Sequence, residues 1–394
     1  MRDWPDRRLL ELLKIEIPIV QAPMAGSDSV ALARSVSSAG ALGSLACALL
    51  SPEAVREAMR ALRHEMARPF NLNFFCHAMK APDPAATERW KTFLAPHYKT
   101  WGLNIETVAE GRLRMPFDDD MCAVVEELRP EIVSFHFGLP DPHLLARLKR
   151  HGIKILSSAT SVREAVWLES RGCDAIIAQG VEAGGHRGMF LETNSATQAG
   201  LFALLPQVTD AVSVPVIAAG GIADARGVVA ALALGASGVQ LGTAYLLCPE
   251  ANVSSIYRQG LAQAGDNTTV LTNLFSGRPA RGILNRFLQE SGAMSDAAAP
   301  FPYAATLIAP LRNASERAGS VDYMQMWAGQ AARLAKSLPC RRTHPQPGYG
   351  CTRVFGREIQ SMMRSGAEEQ GSFTQVKDAK VLSANFRKVL VQSP

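Results

Sequence analysis

The nine residues 180–188, GVEAGGHRG, set one imidazole, His186, among four glycines directly after an apolar run, DAIIAQ (174–179). Histidine changes charge near neutral pH, so a lone imidazole in a loop stripped of side chains offers a hydrogen bond or a positive charge to whatever approaches. Glycine permits that approach, because it exposes the main chain and reaches backbone angles closed to other residues. A second set of polar groups suits a larger ligand. Gly220 and Gly221 in AAGGI (218–222), and Gly242 and Thr243 in QLGT (240–243), present backbone N–H groups of the kind that cradle a phosphate. Asn71 and Asn73 in FNLNFF (70–75) share one face of a strand by its two-residue period, and Gln179 ends the run before the histidine loop. An amide offers a donor and an acceptor together, which is what the edge of a flat polar ring asks for. The seven cysteines are widely spaced with no C-x-x-C pair, so neither a disulfide framework nor a metal site is expected.

The elements that must position these residues are legible as a repeat. Eight short apolar runs alternate with helical patterns over the first 247 residues: Ile17–Met24, Ala41–Ala48, Phe70–Phe75, Ile132–Gly138, Ile153–Thr160, Ala175–Gln179, Pro215–Gly220 and Val239–Leu246. Several are apolar on both faces, as strands packed inside a barrel and covered by helices should be. Ser51-Pro52-Glu53, Asp141-Pro142, Ser161 and Asp224 each suit a helix start. Eight such repeats predict an α/β fold, a (β/α)8 TIM barrel over residues 1–247, with its chemistry where strands end and loops to the next helices begin. Residues 76–120 are too long for a plain loop and are expected to cover part of that mouth. A small helical second domain is predicted after strand eight, over 248–301, followed by closing helices of the barrel over 302–338. Residues 339–394, rich in Gly, Pro, Gln and Ser, read as an atypical tail, expected to be flexible.

Composition removes several function classes. The formal charge of +5 suggests nucleic acid, but residues 339–394 hold nine Lys or Arg against four Asp or Glu, which accounts for the whole excess. A basic groove on the main body is therefore not expected. No apolar run reaches the roughly 18 residues of a membrane span, and the N-terminal MRDWPDRRLLELLKIEIPIV lacks a signal peptide's apolar stretch. A cytoplasmic enzyme, monomeric or homodimeric, is the expectation.

In order and spacing, QAPMAG, NLNFFCH, AQGVEAGGHRG, PVIAAGGI, GVQLGTAYL and SGRPARGILNRF resemble the nitronate monooxygenase family, formerly the 2-nitropropane dioxygenases, over about residues 15–338. The resemblance implies an FMN-binding barrel that uses O2 to turn alkyl nitronates into carbonyl compounds and nitrite. It implies His186 as the catalytic histidine, and a flavin held by Pro23, Met24, Asn73, Gln179, Gly184, Gly221 and Gln240–Thr243. To these the glycine pattern adds Gly185 and Gly220. A nitronate is already a carbanion equivalent, so it can pass one electron to a flavin without a strong base; the protein needs mainly a group to place the anion. His136, near the end of strand four, and Tyr303 in FPY are weaker candidates for the substrate side.

Two other readings compete. Barrels of the same build reduce enoyl thioesters or quinones with NADH and FMN, and their loops can carry a similar Gly-Gly-His. A barrel that binds flavin without turnover is the third, and the intact His186 argues against it.

Overall fold

A computed structural model of the chain describes residues 4–335 apart from 65, 110 and 112. The eight expected runs all form strands: β1 (Ile19–Gln21), β2 (Gly43–Ala46), β3 (Phe70–Phe75), β4 (Ile132–His136), β5 (Lys154–Ala159), β6 (Ala175–Gln179), and, after a two-residue strand β7 (Gly185–His186), β8 (Val216–Ala219) and β9 (Gly238–Leu241). All eight barrel pairs run parallel, in the order β1-β9-β8-β6-β5-β4-β3-β2. The ring closes between β1 and β2, where Gln21 N–H donates to the Leu42 carbonyl at 2.8 Å and Leu42 N–H to that of Ile19 at 2.9 Å. Closure leaves no exposed edge, and it explains why runs such as β3 and β6 are buried at every position. Where the observed strands are shorter than the runs, the surplus residues form the loops of the mouth.

The helix starts follow local chemistry. Ser51, Ser161 and Asp224 each accept a hydrogen bond from a first-turn N–H, at Ala54, Glu164, and Arg226 with Gly227. Asp141 makes no such bond, and the helix Pro142–Arg150 begins on its proline instead.

Residues 248–301 depart from an all-helical expectation. Two short helices, Ser255–Ala262 and Arg286–Ser291, flank an antiparallel pair, β10 (Thr269–Thr272) and β11 (Ala280–Ile283), and β11 also pairs with β7. The stretch TVLT is β-branched at three of four positions, which favours a strand where a partner is available, and β7 extends the sheet. Residues 302–335 are not closing helices of the barrel. The apolar stripe Leu307, Ile308 and Leu311 of the helix Ala304–Arg317 meets Trp90, Leu94 and Tyr98 of the helix Pro84–Thr100, in a cluster separate from the barrel core. Burying each such side chain contributes about 1.5–3 kcal/mol, so this second cluster stabilises the cap on its own account. The insertion after β3 and the segment after β9 thus build one cap together. The tail, residues 339–394, lies outside the described residues.

No helix among the described residues is long and apolar enough to cross a membrane.

Candidate active site

The carboxyl ends of the barrel strands open into one cavity, and the residues expected from sequence come together there. The loop after β1 brings Pro23 and Met24, β3 brings Asn73, β4 His136 and β6 Gln179. The histidine loop adds Gly184, Gly185 and His186, and the ends of β8 and β9 add Gly220, Gly221, Gln240, Gly242 and Thr243. Tyr303 is one exception, and Asn71 is another. Tyr303 does not line the cavity, because its hydroxyl donates to the Lys80 carbonyl at 2.6 Å. Phe301 of the same FPY stands beside His186 instead, with ring centroids 5.5 Å apart.

The glycines around His186 serve the packing of the loop as much as access to it. A Cβ at Gly184 would fall 2.6 Å from the backbone of Ala328 and Gly329, which cross the mouth there. One at Gly188 would fall 2.7 Å from Ser158 Oγ and 2.8 Å from the His136 ring, and one at Gly180 would meet Leu201. Gly185 alone of the four has open space, with a φ of +72° that favours glycine. The loop is held from beneath by Arg187, fully buried, which donates to Gln198 at 2.6 Å and to the Gly180 and Gln179 carbonyls at 2.8 and 3.0 Å. Burial pulls its pKa down to about 10, so it stays charged at neutral pH.

Gln179 and His136 aim the loop rather than face outward. Gln179 Nε2 donates to the His186 carbonyl at 3.0 Å, and its Oε1 accepts from Gly188 N–H at 2.8 Å. The same carbonyl lies 3.1 Å from His136 Nε2, so that nitrogen carries the proton and Nδ1 accepts from the Ser158 hydroxyl at 2.6 Å. Burial, and then the charge of Arg278, hold His136 neutral with a pKa of about 3.

His186 Nε2 lies 2.9 Å from Ser276 Oγ, whose own hydroxyl donates to the Arg278 carbonyl at 3.2 Å. Ser276 therefore accepts from Nε2–H, and Nδ1 of His186 keeps its lone pair. Burial first, then the positive charge of Arg114 and lesser contributions from His136, Arg278 and His77, push the His186 pKa well below its ordinary value. The ring is neutral at physiological pH. Phe75, Phe137, Phe301 and Trp327 surround it at centroid distances of 5.5–6.2 Å.

Apart from Arg278, which lies in the SGRPARGILNRF stretch, several residues of this site carry no local sequence signal. Arg114 lines the cavity and is 9% exposed. Trp327 and Gly329 cross the mouth, where Gly329 N–H donates to Thr243 Oγ1 at 2.9 Å. Arg278 sits 3.9 Å from the centroid of the Phe137 ring, a cation held against an aromatic face. Only the length of the 76–120 insertion pointed toward Arg114, and nothing pointed toward Trp327.

The rim meets the demands of a phosphate-bearing, ring-shaped ligand. Gly220 and Gly221 hold positive φ values of +111° and +70°, and a Cβ there would meet Ala183 at 2.9 Å and Glu182 at 3.3 Å, so glycine lets these two turns pack at the rim. Gln240 Oε1 is buried without a hydrogen-bond partner, an acceptor awaiting a donor. Both N–H groups of Asn73 go to Ser134, so an acceptor is what it has left. Asn71 does not reach the cavity; it binds Ser44 and Ser134 beneath it.

Comparison with known proteins agrees with this architecture. The family model described as "Nitronate monooxygenase" matches residues 6–342. A nitronate monooxygenase of Paraburkholderia phytofirmans is 43% identical over 84% of this chain and 92% of its own length. One of Pseudomonas aeruginosa is 41% identical over 84% and 95%. Among solved structures, a nitroalkane oxidase from Streptomyces ansochromogenes is 37% identical with a TM-score of 0.78, covering 91% of this chain and 99% of that one. FabK from Thermotoga maritima is 27% identical at a TM-score of 0.65, covering 92% and 98%. With more than four-fifths of the sequence matched and the glycine-framed histidine at the barrel mouth, the chain belongs to the nitronate monooxygenase family of oxidoreductases.

Proposed function

We propose that this protein is an FMN-dependent nitronate monooxygenase that converts alkyl nitronates and O2 to carbonyl compounds and nitrite. One observation carries the reading: among the described residues the cavity lining holds a buried arginine, Arg114, and no Asp or Glu. Such a lining favours an anion, and a nitronate is an anion on an apolar chain. Phe75 and Trp327 give the chain an apolar wall.

FMN would lie against Pro23, Met24, Asn73, Gln179, Gly184 and Gly185, with its phosphate on the N–H groups of Gly220, Gly221, Gly242 and Thr243 and a ring N–H on Gln240 Oε1. Bound there, it would supply the one-electron redox chemistry between nitronate and oxygen. The protein's own task is placement. Arg114 is the cation in the lining, and His186, neutral and with Nε2–H given to Ser276, adds an uncharged ring beside it. The aromatic wall excludes water from the reacting carbon.

The test is oxygen uptake and nitrite release from a small nitronate in the absence of nicotinamide, with protein that is yellow and releases FMN on heating. Rapid anaerobic bleaching by NADH, with no nitrite from short or long nitronates, would overturn the proposal in favour of a reductase.

A further inference from the structure

Arg114 is a buried cation with no carboxylate paired to it among the described residues. It lies in the long connection between β3 and β4, fixed close to the end of β3 by the hydrogen bond from Phe117 N–H to the Phe75 carbonyl at 2.8 Å. Among the described residues no carboxylate forms an ion pair with its guanidinium, although Arg56, Arg147 and Arg226 all find one. Burial first, then the neighbouring charge of Arg312, lower its pKa. Taking an unpaired guanidinium out of water is costly, so a fold that does so at a cavity wall gains when an anion enters.

Two anions could take that place: the cofactor phosphate or the reacting end of a substrate. Strand order separates them. In the ring β1-β9-β8-β6-β5-β4-β3-β2, β3 stands four strands from β8 and three from β9, so the loops that carry Gly220, Gly221 and Gly242 lie across the ring from the β3–β4 connection that carries Arg114. A phosphate seated on those glycines leaves Arg114 free across the mouth. His186 cannot hold the anion in its stead, since it is neutral and its one N–H is spent on Ser276.

We propose that Arg114 is the seat of the substrate's anionic group, binding the nitronate oxygens on the way in and product nitrite before release. The proposal rests on the reading of this cavity as a nitronate-oxidising site. A guanidinium offers paired N–H donors in a plane, which match the two oxygens of a nitronate and equally those of nitrite. It follows that substrate and nitrite compete, and that a neutral nitroalkane of the same length binds more weakly than its nitronate.

The experiment compares wild type, Arg114→Lys and Arg114→Met, each loaded with flavin. Nitronate kinetics are paired with a titration by sodium nitrite at fixed ionic strength, read from the flavin absorption spectrum and from the thermal unfolding midpoint. Loss of a charge-assisted hydrogen bond should raise KM and weaken nitrite by about 10- to 100-fold in Arg114→Met, with a smaller change in kcat, and Arg114→Lys should recover much of the loss. A KM and nitrite affinity within about twofold of wild type in a flavin-loaded Arg114→Met protein would overturn the assignment. Should that variant not fold, Arg114→Gln, which keeps a polar tip in the same place, is read by the same criterion. If no nitronate is oxidised, the proposed function falls but the titration still decides: nitrite binding that depends on Arg114 keeps the anion seat, and wild type indifferent to nitrite removes it.

Discussion

Asp28 is a buried carboxylate whose removal of charge should strengthen the protein. It is 8% exposed, and a single oxygen, Oδ2, accepts from both Met24 N–H at 2.9 Å and Ala46 N–H at 2.8 Å. These bonds tie the loop after β1 to the end of β2, and both residues they hold line the cavity. Burial is the largest influence on the acid and lifts its pKa from 3.8 to about 7, against the opposing pull of those N–H groups. The sign is unusual for a carboxylate. Between pH 3.8 and about 7 the folded state binds a proton that the unfolded chain does not, so stability falls as pH rises through that window. At about 1.36 kcal/mol per pH unit the penalty reaches up to about 4 kcal/mol above pH 7, and about 2–3 kcal/mol of it develops between pH 5 and pH 8. Asp28→Asn keeps an oxygen where both N–H groups point and loses the charge. Its advantage over wild type in urea unfolding, followed by tryptophan fluorescence, should therefore grow by about 2–3 kcal/mol from pH 5 to pH 8. Asp28→Ala should instead lose stability at pH 5, about 1–3 kcal/mol for each orphaned N–H, and loosen the flavin. An Asn-minus-wild-type difference that stays level from pH 5 to pH 8 would refute the reasoning.

Other consequences are as direct. Because His186 is held neutral, kcat/KM for a nitronate should show no imidazole ionisation between pH 6 and pH 8; an acid limb near pH 6.5 that vanishes in His186→Asn would contradict this. His186→Asn itself should retain flavin and lose turnover by about 10²- to 10⁴-fold if the ring acts on a proton, measured as nitrite release. Gly188→Ala places a methyl 2.8 Å from the His136 ring that aims the His186 carbonyl, so turnover should drop while FMN stays bound, and unchanged kcat would count against that relay. Gly221→Val, at a φ of +70°, should lose FMN outright, read by flavin fluorescence in the filtrate.

Much of this was readable from residues in a row. The eight strands announced themselves through apolar runs bounded by turn residues, and their ends placed Asn73, Gln179, Gln240 and the paired glycines at one mouth because a parallel barrel leaves them nowhere else to go. The histidine loop was visible for a local reason too: its composition is unlike that of its neighbours. What sequence could not show is what distant segments do to one another. Arg114 becomes a buried cation only when Phe117 docks on β3, and Trp327 meets His186 only when its segment crosses the mouth. The hairpin β10–β11 was hidden for the same cause, since TVLT becomes a strand only with β11 as its partner, and β11 in turn pairs with β7. Gly184 has a packing purpose that local sequence does not show. Its missing side chain makes room for Ala328 and Gly329, more than 140 positions along the chain.

The pairing of β7 with β11 has a mechanical implication. His186 is a rung of a ladder built half from the barrel loop and half from the cap, with Ala280 as its partner and Ser276 holding its imidazole from the cap side. Local opening of the cap, which the barrel could outlast, would release the ring without disturbing the glycine turns after β8 and β9. Amide hydrogens of residues 280–283 thus report on chemical competence, while those of β8 and β9 report on cofactor retention. A preparation warmed or proteolysed into cap opening would stay yellow and folded by every bulk criterion, yet be inert. With the flavin seated as proposed, colour would report on the barrel, and exchange at the ladder would report on the enzyme.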